Sequence, residues 1–153
     1  MKIETLSIVY SPPKVLLGLK KVRFGKGKYN GFGGGLEDGE TLEKCAVRET
    51  LEESGVEILN PQRIGMILFN FESDEPDHEV HFFRAMDFLG VPRESDEMKP
   101  EWFDENQIPY NKMWDDDKYW LPLLLRGQRF KGRFNFNLDS KIKSYKLKEV
   151  TCL

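Results

Sequence analysis

Gly34 to Val56 reads GGLEDGETLEKCAVRETLEESGV, and the residues from Thr41 to Ser54 predict a helix. Thr41 suits its N-cap, where a side-chain oxygen accepts a free backbone N–H. Gly55 suits the residue that ends it. Successive helical residues are 100° apart, so Glu49, Glu52 and Glu53 fall within an arc of roughly 100°. Like charges so close repel by about a few tenths of a kcal/mol per i,i+4 pair. A divalent cation reverses that penalty, and Mg²⁺ takes its oxygen ligands from carboxylates and substrate phosphates. The competing reading is a plain solvated acidic face. Against it, Leu42 and Ala46 project on the side of the acids and Val47 and Leu51 on the other. Arg48 can hold a carboxylate through paired hydrogen bonds. These features predict a packed helix whose acids point into a cleft.

Immediately before the helix lies GKGKYNGFGGG, Gly25 to Gly35. It is too glycine-rich for a helix and reads as a functional loop. Glycines let a ligand approach the backbone, and a helix start offers free N–H groups to anions. The loop is neither of the common phosphate-binding patterns. It lacks the terminal Gly-Lys-Ser/Thr of a Walker loop, and G-x-G-x-x-G from Gly31 or Gly33 ends on Leu36 or Asp38 instead of glycine.

Outward from this centre, strands are expected at Ile3 to Val9 and Lys14 to Leu19, divided by the turn Ser11-Pro12-Pro13. Gln62 to Phe71 and Glu79 to Phe88 read as two more. Trp114 to Leu125 predicts a second helix carrying Pro122. Phe130, Gly132, Phe134 and Phe136 alternate with Lys131, Arg133 and Asn135, a half-buried strand whose hairpin partner is Lys141 to Val150. Helices are too few for regular βαβ alternation, so the expected class is α+β, a sandwich.

The chain of 153 residues suits one domain with its own core. It is 39% hydrophobic and 32% charged with net charge −3, which gives no basis for binding a nucleic acid polymer. Cys45 and Cys152 lack ligand spacing and are read as reduced thiols of an intracellular protein, with Cys45 packed in the helix. Met1 to Lys14 has no signal-peptide core, and no stretch approaches the ~20 apolar residues of a membrane span. A cytoplasmic monomer is expected, with nuclear or mitochondrial fractions open if the source is eukaryotic.

The spacing of Gly34, Glu40, Arg48, Glu49, Glu52, Glu53, Gly55 and Val56 resembles the Nudix box, G-x5-E-x7-R-E-U-x-E-E-x-G-U, where U is a bulky aliphatic residue. Thr50 departs from it, standing at an aliphatic position. Outside the box, Arg23-Phe24-Gly25, Tyr29 to Gly34, Glu94 to Met98, Met113-Trp114, Asp116-Asp117 and Tyr119-Trp120 are similar to the branch of that family acting on oxidised purine nucleoside triphosphates. Gly35 stands where that branch has Lys, and Tyr29 where it has Trp. The resemblance implies a single Nudix domain over 1–153, a Nudix α/β/α sandwich on a mixed β-sheet.

It further implies Mg²⁺, with Mn²⁺ as a substitute, held by the Gly33 carbonyl, Glu49, Glu52, Glu53 and Glu97. The implied substrate site comprises Thr5, Lys20, Phe24, Asn30, Phe32, Gly33, Gly34, Gly35, Phe69, Met98, Trp114, Asp115, Asp116 and Asp117. Read as side chains, Trp114 offers a stacking face and Asn30 both a donor and an acceptor. Adjacent aspartates can read N–H donors of a base, and one of them protonated can donate, admitting more than one purine. Taken alone, Trp114 also suits a core aromatic, and Asp115 to Asp117 a solvated helix start. The implied reaction is attack of water on a small-molecule triphosphate such as 8-oxo-dGTP or 2-oxo-dATP, yielding monophosphate and pyrophosphate. Glu53 or Glu52 is the expected general base, with Glu97 a rival, and Arg48 orients the acids. Lys20 and Arg23 are candidate phosphate contacts. The alternatives are another Nudix substrate, such as ADP-ribose or a dinucleoside polyphosphate, and a non-catalytic nucleotide-binding module.

Overall fold

Ile8 and Tyr10 of the first strand enter one core and Val9 enters another, as the two-residue period of a strand dictates. The computed structural model describes residues 1–153. β1 (Lys2–Ser11) runs parallel to β7 (His78–Ala85), which pairs antiparallel with β6 (Gln62–Phe71). Beyond β6 come β10 (Phe130–Phe136), parallel to it, and the edge strand β11 (Ile142–Glu149). The other edge of β1 is divided. Val9 to Ser11 pair with β2 (Lys14–Lys20), whereas Glu4 to Ser7 pair with β4 (Phe32–Gly35). β2 also carries β3 (Tyr29–Asn30) and β9 (Met98–Asp104). At this fork the sheet admits the glycine-rich segment.

α1 (Leu42–Ser54) packs beside β4 and β1 over the core of Val9, Leu16, Phe32 and Ala46. α2 (Asp117–Leu125) covers the opposite face, with Trp120, Leu121 and Leu124 against Phe82 and Phe130. The expected α/β/α sandwich on a mixed sheet is therefore observed. Thr41 Oγ1 accepts the Lys44 N–H at 3.2 Å, and Gly55 ends α1 at φ 77° with its N–H on Leu51 O. Thr50, the departure at an aliphatic position, is fully buried, with its hydroxyl donating to Ala46 O at 2.8 Å. An intrahelical bond thus satisfies the group that an aliphatic residue would lack.

Several expectations need correction. The strand expected over Glu79 to Phe88 ends at Ala85; Asp87–Leu89 forms β8 and pairs with β5 (Glu57–Leu59) in a separate ribbon. The second helix starts at Asp117, because Met113 is extended and bridges to Tyr29. The glycine segment is not wholly a loop, since β3 and β4 lie within it. Leu51 is 43% exposed, so of the flank opposite the acids only Val47 packs against the core.

Candidate active site

Arg48 organises the acids of α1. Its Nε and Nη2 donate to Glu40 at 2.7 and 2.9 Å, while its Nη1 donates to Glu49 at 2.8 Å and to Glu52 at 3.5 Å. The fork on Glu40 is the bidentate geometry that a guanidinium favours, and it holds the Glu40 carboxyl down at about 2. Glu40 came with the sequence spacing but without a role; its role is to fix Arg48.

Glu53 is 4% exposed and takes a single hydrogen bond, from the Gly33 N–H at 2.8 Å. Burial pushes its carboxyl up to about 8, only partly offset by that bond and by Lys20. Burial also raises Glu49, against the pull of Arg48. The glycines beside these acids have no room for a side chain. A Cβ on Gly33 would lie 1.8 Å from Thr5 O, and one on Gly34 would lie 2.6 Å from the Glu49 carboxyl carbon. Glu52 is the exposed member, at 59%. Glu97, just before β9, is paired with Arg23 and lies 3.9 Å from Lys20. It is close enough to raise Glu49 and Glu53 further, behind the larger effect of burial.

A cavity of about 170 Å³ runs from Glu53 to the start of α2. Thr5, Lys20, Phe24, Asn30, Gly33, Gly34, Phe69, Met98, Trp114, Asp116 and Asp117 all line it. Trp114 is set by Phe24, with ring centroids 5.0 Å apart, by Phe136 at 5.6 Å, and by Lys28 Nζ at 5.2 Å over its ring. Asn30 Oδ1 accepts the Gly31 N–H at 2.9 Å, which leaves its amide nitrogen as the free donor. Asp116 and Asp117 are both buried. Asp116 Oδ2 accepts the Trp120 indole N–H at 2.6 Å, and Asp117 Oδ2 has no partner. Burial raises Asp116 to about 6 and lifts Asp117 well above the usual range, with Asp116 adding to it. Two such neighbours cannot both ionise cheaply.

Three of the expected substrate residues lie elsewhere. Phe32 is fully buried in the core under α1, because β4 alternates and turns it away from the cavity. Gly35 is exposed, with open space around it. Asp115 accepts the Ile142 N–H at 3.1 Å and lies 3.7 Å from Lys118, bracing β11 instead of the cavity. Glu4, Phe71, His78, Trp120 and Phe136 line the cavity, yet sequence reasoning missed them. The strand period placed Phe136 on the buried face, but nothing along the chain marked Glu4 or His78.

The acids of α1 carry oxygen donors of the type a hard divalent cation takes, although no three of them converge on one point. Glu53 is a buried carboxylate with one hydrogen bond, Glu49 is half-shielded, and Glu52 stands one residue away at the surface. Oxygen donors of this kind are what Mg²⁺ or Mn²⁺ coordinates, and the elevated carboxyl of Glu53 is the state that such a charge relieves.

Comparison with known proteins agrees with this geometry. The NUDIX domain description matches residues 3–124. Over 149 residues the chain is 49% identical to an oxidized purine nucleoside triphosphate hydrolase of Danio rerio, covering 97% of this chain and 96% of that one. It is 46% identical to the protein of the same name from Mus musculus, with the same coverage. Among solved structures, a MutT protein of Bacillus halodurans superposes with a TM-score of 0.86 at 27% identity, covering 97% of this chain and 98% of that one. Nudix hydrolases use divalent metal cations, in keeping with the acids of α1. This chain belongs to the Nudix hydrolase family.

Proposed function

We propose that this protein hydrolyses oxidised purine nucleoside triphosphates, such as 8-oxo-dGTP and 2-oxo-dATP, to the monophosphate and pyrophosphate with Mg²⁺. The observation that carries this reading is the continuity of one cavity. Its wall holds the buried Glu53 at one place and the buried pair Asp116 and Asp117 at another. The activity for which the two vertebrate relatives are named supports it.

Trp114 supplies the stacking face, and Phe24 shields it. The Asn30 amide nitrogen donates to the base, while the Asp pair accepts from it. With one proton between them, Asp116 and Asp117 present an acceptor and a donor together. That proton can sit on either carboxyl, so bases with different edge patterns fit one site. Lys20 lines the same cavity near Glu53 and counters phosphate charge. Mg²⁺, when bound by Glu49, Glu52, Glu53 and the Gly33 carbonyl, neutralises phosphate oxygens and lowers the pKa of water. Glu53 is the assigned general base, with the Gly33 N–H fixing its orientation. Glu97 completes the acidic set from the far side, and Arg48 holds Glu49 in place.

The test is a panel of 8-oxo-dGTP, 2-oxo-dATP, dGTP and ADP-ribose offered with Mg²⁺, read as kcat/KM. The oxidised triphosphates are expected to be the best substrates. A preference for ADP-ribose, or turnover of none, would contradict the reading.

A further inference from the structure

Two charged residues of the cavity wall have no part in the reaction just described. Glu4 on β1 and His78, the first residue of β7, both border the cavity. His78 is buried, with its Nδ1 paired to Glu4 Oε1. Its Nε2 is 2.6 Å from Glu75 Oε1, to which Lys2 Nζ also donates at 3.3 Å. Glu4, Glu75 and Lys2 are the charged groups around the ring. The Phe24 and Phe71 rings flank it, at 5.8 and 5.4 Å between centroids. Burial works against the imidazolium, but hydrogen bonds and charge from Glu4 and Glu75 outweigh it and hold His78 above its usual value. With both nitrogens engaged, His78 keeps no donor for a ligand. Glu4 differs, because His78 takes only Oε1 and no protein group bonds to Oε2.

An ion pair whose imidazole is buried between Phe24 and Phe71 carries a desolvation penalty that packing alone does not repay. A carboxylate oxygen bordering a cavity can act only as an acceptor. We propose that Glu4, positioned by His78, is a further specificity-determining carboxylate of this pocket, whose free oxygen accepts a hydrogen bond from an exocyclic amino group of the bound purine. It stands on the sheet, whereas Asp116 and Asp117 come from the start of α2. Glu4 touches the base, and His78 is the positioning residue. The inference rests on the cavity being the purine site, so its test reads binding separately from turnover.

Dissociation constants are measured calorimetrically for 8-oxo-dGMP and for its hypoxanthine counterpart, which lacks only the amino group. In Glu4→Leu, affinity for the amino-bearing base is expected to fall about 10-fold or more, with less than about 2-fold change for the other, as loss of a hydrogen bond to a charged group implies. His78→Gln, which still donates to Glu4, keeps most of the preference, and His78→Leu loses it. The triphosphates should show the same split in KM, with kcat little changed. Should Glu4→Leu not fold, Glu4→Gln is expected to show a smaller loss confined to the amino-bearing base. Equal loss on both bases, or no loss, overturns the proposal. Failure of the wild-type protein to bind either monophosphate overturns the purine-site reading and this inference with it. Tight binding without turnover of the triphosphates overturns the proposed reaction alone.

Discussion

Gly33 donates its backbone N–H to Glu53 Oε1 at 2.8 Å, tying the buried glutamate of α1 to the strand at the fork of the sheet. The same glycine lies so close to β1 that a Cβ would fall 1.8 Å from Thr5 O. One residue therefore sets both the strand pairing and the orientation of the acid.

Gly33→Ala is expected to destabilise the fold by about 3 kcal/mol or more, since the clash is with backbone that cannot rotate away. Gly34→Ala meets the Glu49 side chain instead, so it should reduce activity more than stability. Urea unfolding beside steady-state rates checks the contrast; equal stability losses would count against it.

The metal-free protein should lose stability as pH rises. The folded-state carboxyl of Glu53 sits at about 8, above its ordinary value of 4.5. Its contribution is thus fully present below about pH 4.5 and lost as pH rises through 8, on the order of a few kcal/mol. Asp116, raised to about 6, acts in the same direction over a lower window. Glu53→Gln should match the wild type near pH 5 and exceed it in Tm near pH 9 without metal. Added Mg²⁺ should raise the wild-type Tm and leave the variant nearly unmoved. A wild-type Tm that is flat across this range would contradict the burial argument.

Arg48→Lys keeps the charge but loses the two-pronged grip on Glu40. Activity or metal affinity should fall about 10- to 100-fold, the usual effect of disturbing groups that orient metal ligands. Titration with Mn²⁺ measures it. Unchanged affinity and rate would show that Glu49 needs no such support.

Asp116→Asn should reorder the purines that the enzyme accepts while leaving the Mg²⁺ dependence of the rate intact. The variant cannot share a proton with Asp117, so breadth across base types narrows. An unchanged ranking of 8-oxo-dGTP against 2-oxo-dATP would count against the pair as the base reader.

Local signals carried much of this architecture. Thr41 and Gly55 bound α1 as their capping chemistry requires, and the alternation from Phe130 to Phe136 marks a half-buried strand. Met98–Asp104 escaped notice because Pro100 and two acids interrupt the apolar pattern of β9. The break at Met86 depends on β8 finding β5, a contact between distant segments. Within the site, the acids of α1 were legible from helical spacing. Three facts arise only from packing: Phe32 faces away from the cavity, Asp115 braces β11, and Glu4 meets His78 across parallel strands.

The most direct measurement is the identity of the products from 8-oxo-dGTP and Mg²⁺, separated by ion exchange. The predicted result is 8-oxo-dGMP and pyrophosphate in equal amounts, with Glu53→Gln slower by about 100-fold or more, the scale of losing a general base. Orthophosphate with the diphosphate, no turnover, or a Glu53→Gln rate near wild type would contradict it.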